Sequence, residues 1–357
     1  MSSKRDRAMG ALMGAFIGEA LGVGPHWYYD LDKLRETYGP WIDDYTLPKK
    51  GHYHEHLTAG ELSQQGWIIQ QMARYFVAHE GYEENTFTQW MDEEILPHVS
   101  DDALKGVGGY TSQTMRQVYH ARKVKQQPWG QIASISDTTE SLERNIPTAI
   151  YYADDVSTLA TIVAQNTALT QSDNVTGSLS VAYNLVLALL IQGEALDDQI
   201  SKKLMRLVYQ KQLPFFAITE EGLGKPVVGR DVSSSQGLFA SPDALLSPSH
   251  MAQAAIDPDI KIEPAWKAAV VYGMPCAIYH MLPSAYYLAA RFKDDFESGV
   301  LHAINGGGQN QIRALLTGVL IGAQVGLSNI PKRFIEGLKD KKTLLSLAQE
   351  LTKHYDF

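Results

Sequence analysis

The sequence predicts an all-α fold, and three features of the chain support this prediction. Apolar residues recur with the 3.6-residue period of a helix in several long stretches, whereas the alternation typical of strands is scarce. Small residues stand four apart near the N-terminus, at Gly10, Gly14, Gly18 and Gly22. The run 176–192 is almost wholly apolar. These patterns predict a helical bundle in which some helices approach each other closely.

The first predicted helix covers residues 8–22 and carries the glycines on one face, where another backbone can approach. The same spacing occurs in membrane helix dimers. Glu19 and the short length of the run favour a packed helix of a soluble protein instead. An apolar stripe over 62–76 predicts a second helix.

Four more helices are predicted towards the C-terminus. The pair Asp173-Asn174 is well suited to cap the buried helix 176–192. A stripe over 312–323 predicts another buried helix, Pro331 suits the first turn of the next, and 341–355 has the pattern of a last amphipathic helix.

The sequence shows no feature that would divide the chain into domains. A length of 357 residues suggests two domains at ~150 residues each, but we find neither an internal repeat nor a dividing linker. We therefore expect one domain, residues 1–357. Residues 222–264 are rich in Gly, Pro and Ser and are expected to form a long loop, either a functional lid or a surface insertion. Weak strand patterns occur only at 51–57 and 227–232.

Composition excludes several classes of protein. Forty acidic against 31 basic residues give a net charge of −9, which argues against nucleic-acid binding. The single cysteine, Cys276, excludes an intramolecular disulfide framework and favours a reducing compartment such as the cytoplasm. We expect no cleaved signal and no membrane span, because no stretch approaches ~18 uninterrupted apolar residues.

Two polar turns precede predicted buried helices at opposite ends of the chain, Ser63-Gln64-Gln65-Gly66 and Gly307-Gly308-Gln309-Asn310-Gln311-Ile312. Both resemble motifs of the ADP-ribosylglycohydrolase family, whose members usually have Thr-Asp-Asp-Thr in the first turn and Gly-Gly-Asp-x-Asp-Thr in the second. The resemblance implies a compact orthogonal helical bundle in which these acids jointly hold two Mg²⁺ and the enzyme cleaves a glycosidic bond of ADP-ribose.

The resemblance extends from about Asp6 to Phe334. The family usually has Asp where Glu19 stands, and often Glu after Pro25, where His26-Trp27 follows here. A narrower resemblance links the chain to the branch that contains J1-crystallins and selenoprotein J. It rests on four segments: Leu21 to Asp30, which ends in His26-Trp27-x-Tyr29-Asp30, then Arg144-Asn145-Ile146-Pro147, Thr170-Gln171-x-Asp173 and Tyr272-Gly273-Met274-Pro275-Cys276. In the crystallins this fold has a structural use.

The four matched acids are all glutamine here, at Gln64, Gln65, Gln309 and Gln311. Mg²⁺ prefers oxygen ligands that also supply negative charge, and uncompensated charge is costly to bury. We therefore predict that the metal site is lost and that no cofactor is used. The four glutamines are expected to converge and to form a hydrogen-bonded network with Ser63 and Asn310.

A ligand-binding cleft is predicted around these turns, formed by His26, Trp27, Ser63, Gln64, Gln65, Gly307, Gly308, Gln309, Asn310 and Gln311. Free N–H groups of the glycine turn suit a phosphate at a helix N-terminus. His26 and Trp27 either stack on a ligand or pack beneath a loop. The candidate acids for a reaction without metal are Glu61, Asp30 and Asp173, with helix capping as the structural alternative. We interpret the histidines of 52–56 as part of a solvated loop.

Three functions remain open at this point. The first is a non-catalytic protein that binds an ADP-ribose-like or other small polar ligand or has a structural role. The second is a hydrolase of the same type that uses altered residues, and the third is ordinary ADP-ribosyl hydrolysis.

Overall fold

The computed structural model describes residues 2–215, 239 and 241–356. Within these ranges the chain forms helices and isolated bridges but no strand, so the all-α prediction is confirmed. The α-helices are α1 Lys4–Val23, α2 Leu31–Tyr38, α3 Gln64–His79, α4 Glu84–Trp90, α5 Gln113–Tyr119, α6 Glu140–Arg144, α7 Ile146–Tyr151, α8 Val156–Ala168, α9 Asn174–Gln192, α10 Ile200–Tyr209, α11 Ser247–Ile256, α12 Ala268–Tyr272, α13 Ile278–Arg291, α14 Phe296–Asn305, α15 Asn310–Val325, α16 Lys332–Gly337 and α17 Lys341–Leu351.

Helices α1 and α15 form the closest pair, and they run antiparallel. A Cβ atom on Gly14 would lie 2.1 Å from the carbonyl oxygen of Gly318, and one on Gly18 would lie 2.1 Å from that of Ala314. Real Cβ atoms do not approach so closely, so only glycine permits this separation. The prediction that the glycine face receives another backbone is therefore confirmed.

Helix α9 is the buried helix that the apolar run predicts. It packs against α1, α6, α7, α8 and α15, and the Tyr183 hydroxyl donates to the carbonyl oxygen of Leu316 at 2.7 Å. Among the described residues it is the one helix long and apolar enough to cross a bilayer. However, 78% of its most apolar window is buried in the protein, so it is a core helix of the fold.

The two glutamine-containing turns lie at the starts of helices. Ser63 is the N-cap of α3, and Gln309 is the N-cap of α15. Pro331 was expected in the first turn of the next helix. It lies one residue earlier, as the N-cap of α16. Helix α17 covers most of the predicted last helix, and a 3₁₀ turn over Lys353–Asp356 continues it.

The loop expected at 222–264 is not continuous. Residues 243–245 form a 3₁₀ turn and Ser247–Ile256 form α11, because Pro248 starts a helix whose Ala252 and Ala255 are buried. Residues 216–238 and 240, with the weak strand pattern at 227–232, lie outside the described residues. The other weak strand, 51–57, is a series of turns. The single domain stays a prediction.

Candidate functional site

A buried carboxylate from α1 lies at the N-terminus of α3. Glu19 is fully buried, and its Oε1 accepts from the backbone N–H of Ser63 at 3.0 Å and from the Ser63 hydroxyl. The backbone N–H of Gly66 also donates to this carboxylate. A Cβ on residue 66 would lie 3.0 Å from Glu19 Oε2, so glycine leaves room for the acid. Glu19 thus caps α3, where negative charge is favoured.

Two of the four glutamines lie beside the pair formed by Glu19 and Ser63. Gln311 Nε2 donates to Glu19 Oε1 and to Ser63 Oγ, at 3.0 Å each. The amide nitrogen of Gln311 is therefore the group that faces the carboxyl oxygen, which accepts from it. Gln65 Oε1 lies 3.2 Å from Ser63 Oγ, whose single proton is directed to Glu19. We call Glu19, Ser63, Gln65 and Gln311 the polar centre.

The predicted convergence is wrong for the other two glutamines. Gln64 Oε1 accepts from the backbone N–H of Ser112 at 3.0 Å. Gln309 Oε1 accepts from the Trp27 indole and lies 2.8 Å from His26 Nε2. Successive helix side chains diverge by about 100°, so Gln64 points away from its neighbour Gln65. Gln309 stands two residues before Gln311 as the non-helical N-cap of α15, so its side chain leaves in another direction.

His26 and Trp27 pack beneath the loop that contains residues 52–56. His26 Nδ1 lies 2.9 Å from His54 Nε2, and His54 Nδ1 donates to the carbonyl oxygen of Gly108 at 3.0 Å. Burial lowers the pKa of both histidines. The Trp27 ring lies edge-on to Tyr53, with ring centroids 4.3 Å apart. The solvated-loop interpretation is therefore wrong for His54, which is buried.

The glycine turn before α15 has its N–H groups occupied. Gly307 and Gly308 have φ values of 66° and 62°, which glycine adopts without strain. Gly308 N donates to the carbonyl oxygen of Tyr28 at 2.7 Å, and Gln309 N donates to that of Met274 at 2.9 Å. The side chain of Asn310 donates to Pro25 O at 3.0 Å. These N–H groups hold the turn in place and do not form the phosphate cradle that we expected.

The three candidate acids lie in local turns. Asp30 caps α2 by accepting from the N–H of Asp32 at 3.0 Å, and Asp173 caps α9 by accepting from that of Thr176 at 2.7 Å. Glu61 accepts from the backbone N–H of Thr58. These bonds match the structural alternative, and a catalytic role for the three acids stays a prediction.

Sequence reasoning missed two carboxyl groups on the short helix α6. Glu143 is only 2% exposed, and burial, reinforced by the negative charges of Glu140 and Glu19, raises its pKa to about 8. Burial also raises the pKa of Glu140, and it raises that of Glu19 to about 7. The spacing of three in Glu140-x-x-Glu143, directly before Arg144, was the signal available in the sequence.

The donors of the polar centre do not match what two Mg²⁺ require. Such a site needs several oxygen ligands with negative charge in near-octahedral geometry. The polar centre has one carboxylate, and Gln311 directs N–H groups towards it. Within the described ranges, no group of three or more His, Cys, Asp or Glu side chains is placed to hold a metal ion.

The helical architecture and the two paired turns define a protein of the ADP-ribosylglycohydrolase fold. The chain is similar over 99% of its length to 99% of a solved "ADP-ribosylglycohydrolase-related protein complex" chain, with a TM-score of 0.61 and 16% identity. It is also 22% identical over 344 residues to an uncharacterized protein of Archaeoglobus fulgidus, covering 95% of this chain and 94% of that relative. The ADP-ribosylglycohydrolase family model matches residues 1–356, so the chain belongs to this family.

Proposed function

We propose that this family member does not carry out two-Mg²⁺ hydrolysis and that it acts as a structural or ligand-binding protein, with the structural role favoured. The observation that carries the proposal is the position of Gln311. Its amide nitrogen donates to Glu19 and Ser63 at 3.0 Å each, so protein hydrogen bonds occupy the place where the family resemblance puts metal-binding acids.

The surroundings support the structural role over binding of an ADP-ribose-like ligand. The N–H groups of Gly308 and Gln309 bond to backbone carbonyls. The indole of Trp27 is engaged with Gln309, and its ring contacts Tyr53. A ligand would have to displace these contacts. The narrower resemblance to the J1-crystallin branch agrees with this role, and a reducing compartment such as the cytoplasm suits the single cysteine.

A second candidate is a hydrolase that works without metal. Buried carboxyl groups with pKa values near neutrality are typical of general acids. Glu19 and Glu143, with pKa values raised to about 7 and about 8, fit this description better than the three capping acids. Of Glu19, Glu140 and Glu143, Glu140 is the least buried residue.

The test compares the wild type with a variant in which all four glutamines become Asp, at positions Gln64, Gln65, Gln309 and Gln311. Mg²⁺ and ADP-ribose binding are measured by calorimetry, and release of ADP-ribose from modified protein is assayed with and without EDTA. A control replaces four exposed glutamines by Asp, at positions Gln113, Gln165, Gln210 and Gln253. It adds the same charge away from the polar centre.

We expect Mg²⁺ binding only in the first variant, and no turnover by the wild type. Saturable binding of ADP-ribose to the wild type without turnover would select the ligand-binding role. Mg²⁺-dependent turnover by the wild type would overturn the proposal. EDTA-resistant turnover that Glu143→Gln abolishes would establish the second candidate.

A further inference from the structure

A narrow cavity lies beside the polar centre, between α3, α5 and α6. Its volume is about 10 Å³, and its polar wall consists of Gln65, Ser112, Glu140, Glu143 and Arg144. A volume of about 10–15 Å³ holds one particle of the size of a water molecule. The cavity is therefore suited to a single small occupant.

The wall presents buried oxygens that lack a partner. Among the described residues, neither Oε2 of Glu140 nor Oε2 of Glu143 has a hydrogen-bond partner, although both atoms are buried. Glu143 Oε1 accepts from the Thr139 hydroxyl, so this carboxylate is already held on one side. An unpaired buried acceptor costs about 1–3 kcal/mol, and more when it is charged. An occupant that supplies donors or positive charge would remove this cost.

The charge of the wall distinguishes between possible occupants. Two carboxylates face one guanidinium, and Arg144 directs Nε and Nη2 to Asn166 at 2.9 and 2.7 Å. With both acids ionised, the wall carries one net negative charge. Protonation of Glu143, whose pKa is raised to about 8, also removes this charge, so a cation at this site competes with the proton and is favoured above about pH 8. A water molecule would satisfy hydrogen bonds but leave this charge uncompensated, and buried charge is costly unless it is paired. Mg²⁺ retains several water molecules, for which there is no room.

We propose that this cavity binds one monovalent cation of the size of a water molecule, K⁺ or NH₄⁺. Its ligands are Oε2 of Glu140, Oε2 of Glu143 and the neutral oxygens of Gln65 and Ser112. Gln65 Oε1 lies 3.2 Å from Ser63 Oγ, whose single proton is directed to Glu19, so the amide oxygen keeps a lone pair for the cation. The site ties α6 to the starts of α3 and α5, and it does not depend on whether Mg²⁺ hydrolysis is lost.

The test measures the melting temperature at pH 8.5 in chloride salts of K⁺, NH₄⁺, Li⁺ and choline at equal ionic strength. We expect K⁺ or NH₄⁺, in large excess over Kd, to raise Tm by about 4 °C relative to choline. Li⁺ should not do so. Glu143→Gln should abolish the effect, whereas Glu94→Gln, at an exposed acid, should preserve it. The ion with the larger effect identifies which of the two binds.

A direct measurement uses the wild-type protein and needs no variant. Crystals grown with Rb⁺, which substitutes for K⁺, should show an anomalous peak between Glu140 and Glu143. Equal melting temperatures in all four salts, or an equal response in Glu143→Gln, would overturn the proposal. Density for a water molecule without an anomalous peak would do the same.

Discussion

The buried carboxyl group of Glu19 makes the free energy of unfolding depend on pH in a direction opposite to that of an ordinary ion-paired acid. Its pKa is about 7 in the folded protein, against an ordinary value of 4.5. Between these values the folded state holds a proton that the unfolded state has lost. The stabilisation that the raised pKa of Glu19 gives the folded state is therefore complete below pH 4.5 and is lost as pH rises through about 7. The difference between the two pKa values corresponds to about 3 kcal/mol.

The assay is urea unfolding at a series of pH values between about 4.5 and 8, for the wild type and for Glu19→Gln. The variant cannot ionise at this position, so its stability should fall less steeply with pH. The remaining slope combines Glu140 and Glu143, whose pKa values are raised by burial, with buried histidines such as His26 and His54, whose pKa values are lowered and which act in the opposite direction. The stability difference between the two proteins reports Glu19 together with its charge effect on the pKa of Glu143.

We expect this difference to shift by about 3 kcal/mol in favour of the variant from low to high pH. The control Glu94→Gln changes an exposed carboxyl group. Its free energy of unfolding should depend on pH in the same way as that of the wild type. A difference that stays constant with pH would refute the reasoning, and so would one that grows in favour of the wild type. In either case Glu19 would be ionised throughout, as a cap of α3 in good contact with its donors.

Three further predictions follow from packing and capping. Gly14→Ala should lower the free energy of unfolding by about 1–3 kcal/mol or more, because its Cβ would lie 2.1 Å from Gly318 O. The control Gly81→Ala meets nothing closer than 3.5 Å and should change this free energy by less than about 0.5 kcal/mol. Equal effects of the two variants in urea unfolding would contradict the close helix contact. Asp173→Ala should lower the free energy of unfolding by about 1 kcal/mol, because Thr176 N loses its acceptor. A large loss of any measured hydrolysis without a loss of stability would instead support a role for Asp173 as a catalytic acid. The chain should unfold in one cooperative transition by calorimetry and circular dichroism, and two separate transitions would contradict a single domain.

The helices were predictable where a single local pattern determines them. The glycine spacing of α1 and the apolar run of α9 each extend over several turns, and their burial in the protein follows from the same residues. The polar centre was predictable in part. The family motifs placed Gln65 and Gln311 together, but they could not say that Gln64 and Gln309 point to other partners, because side-chain direction at a helix start depends on the exact first residue.

The remaining features depend on tertiary contacts that leave little trace in the sequence. Helix α6 has five residues, too few for a periodic pattern, so Glu140 and Glu143 gave no sign of burial. His54 lies in a polar segment with a backbone φ of 66°, and it is buried through its contacts with His26 and the carbonyl oxygen of Gly108. A left-handed conformation at a histidine is uncommon. In both cases the surrounding helices determine the environment.

The position of the polar centre is determined by backbone packing rather than by its own hydrogen bonds. A Cβ on Gly22 would lie 2.2 Å from the Cα of Gln311, and one on Gly18 would lie 2.1 Å from Ala314 O. The contact between α1 and α15 therefore fixes how far Glu19 is from Gln311, whatever side chain stands at 311. Exchanging acids for amides changes the charge of the centre while the helix starts that hold it stay in place. For the same reason, the variant with four restored acids tests the chemistry of the centre in an almost unchanged fold, and failure of that variant to bind Mg²⁺ would show that residues other than the four glutamines prevent it.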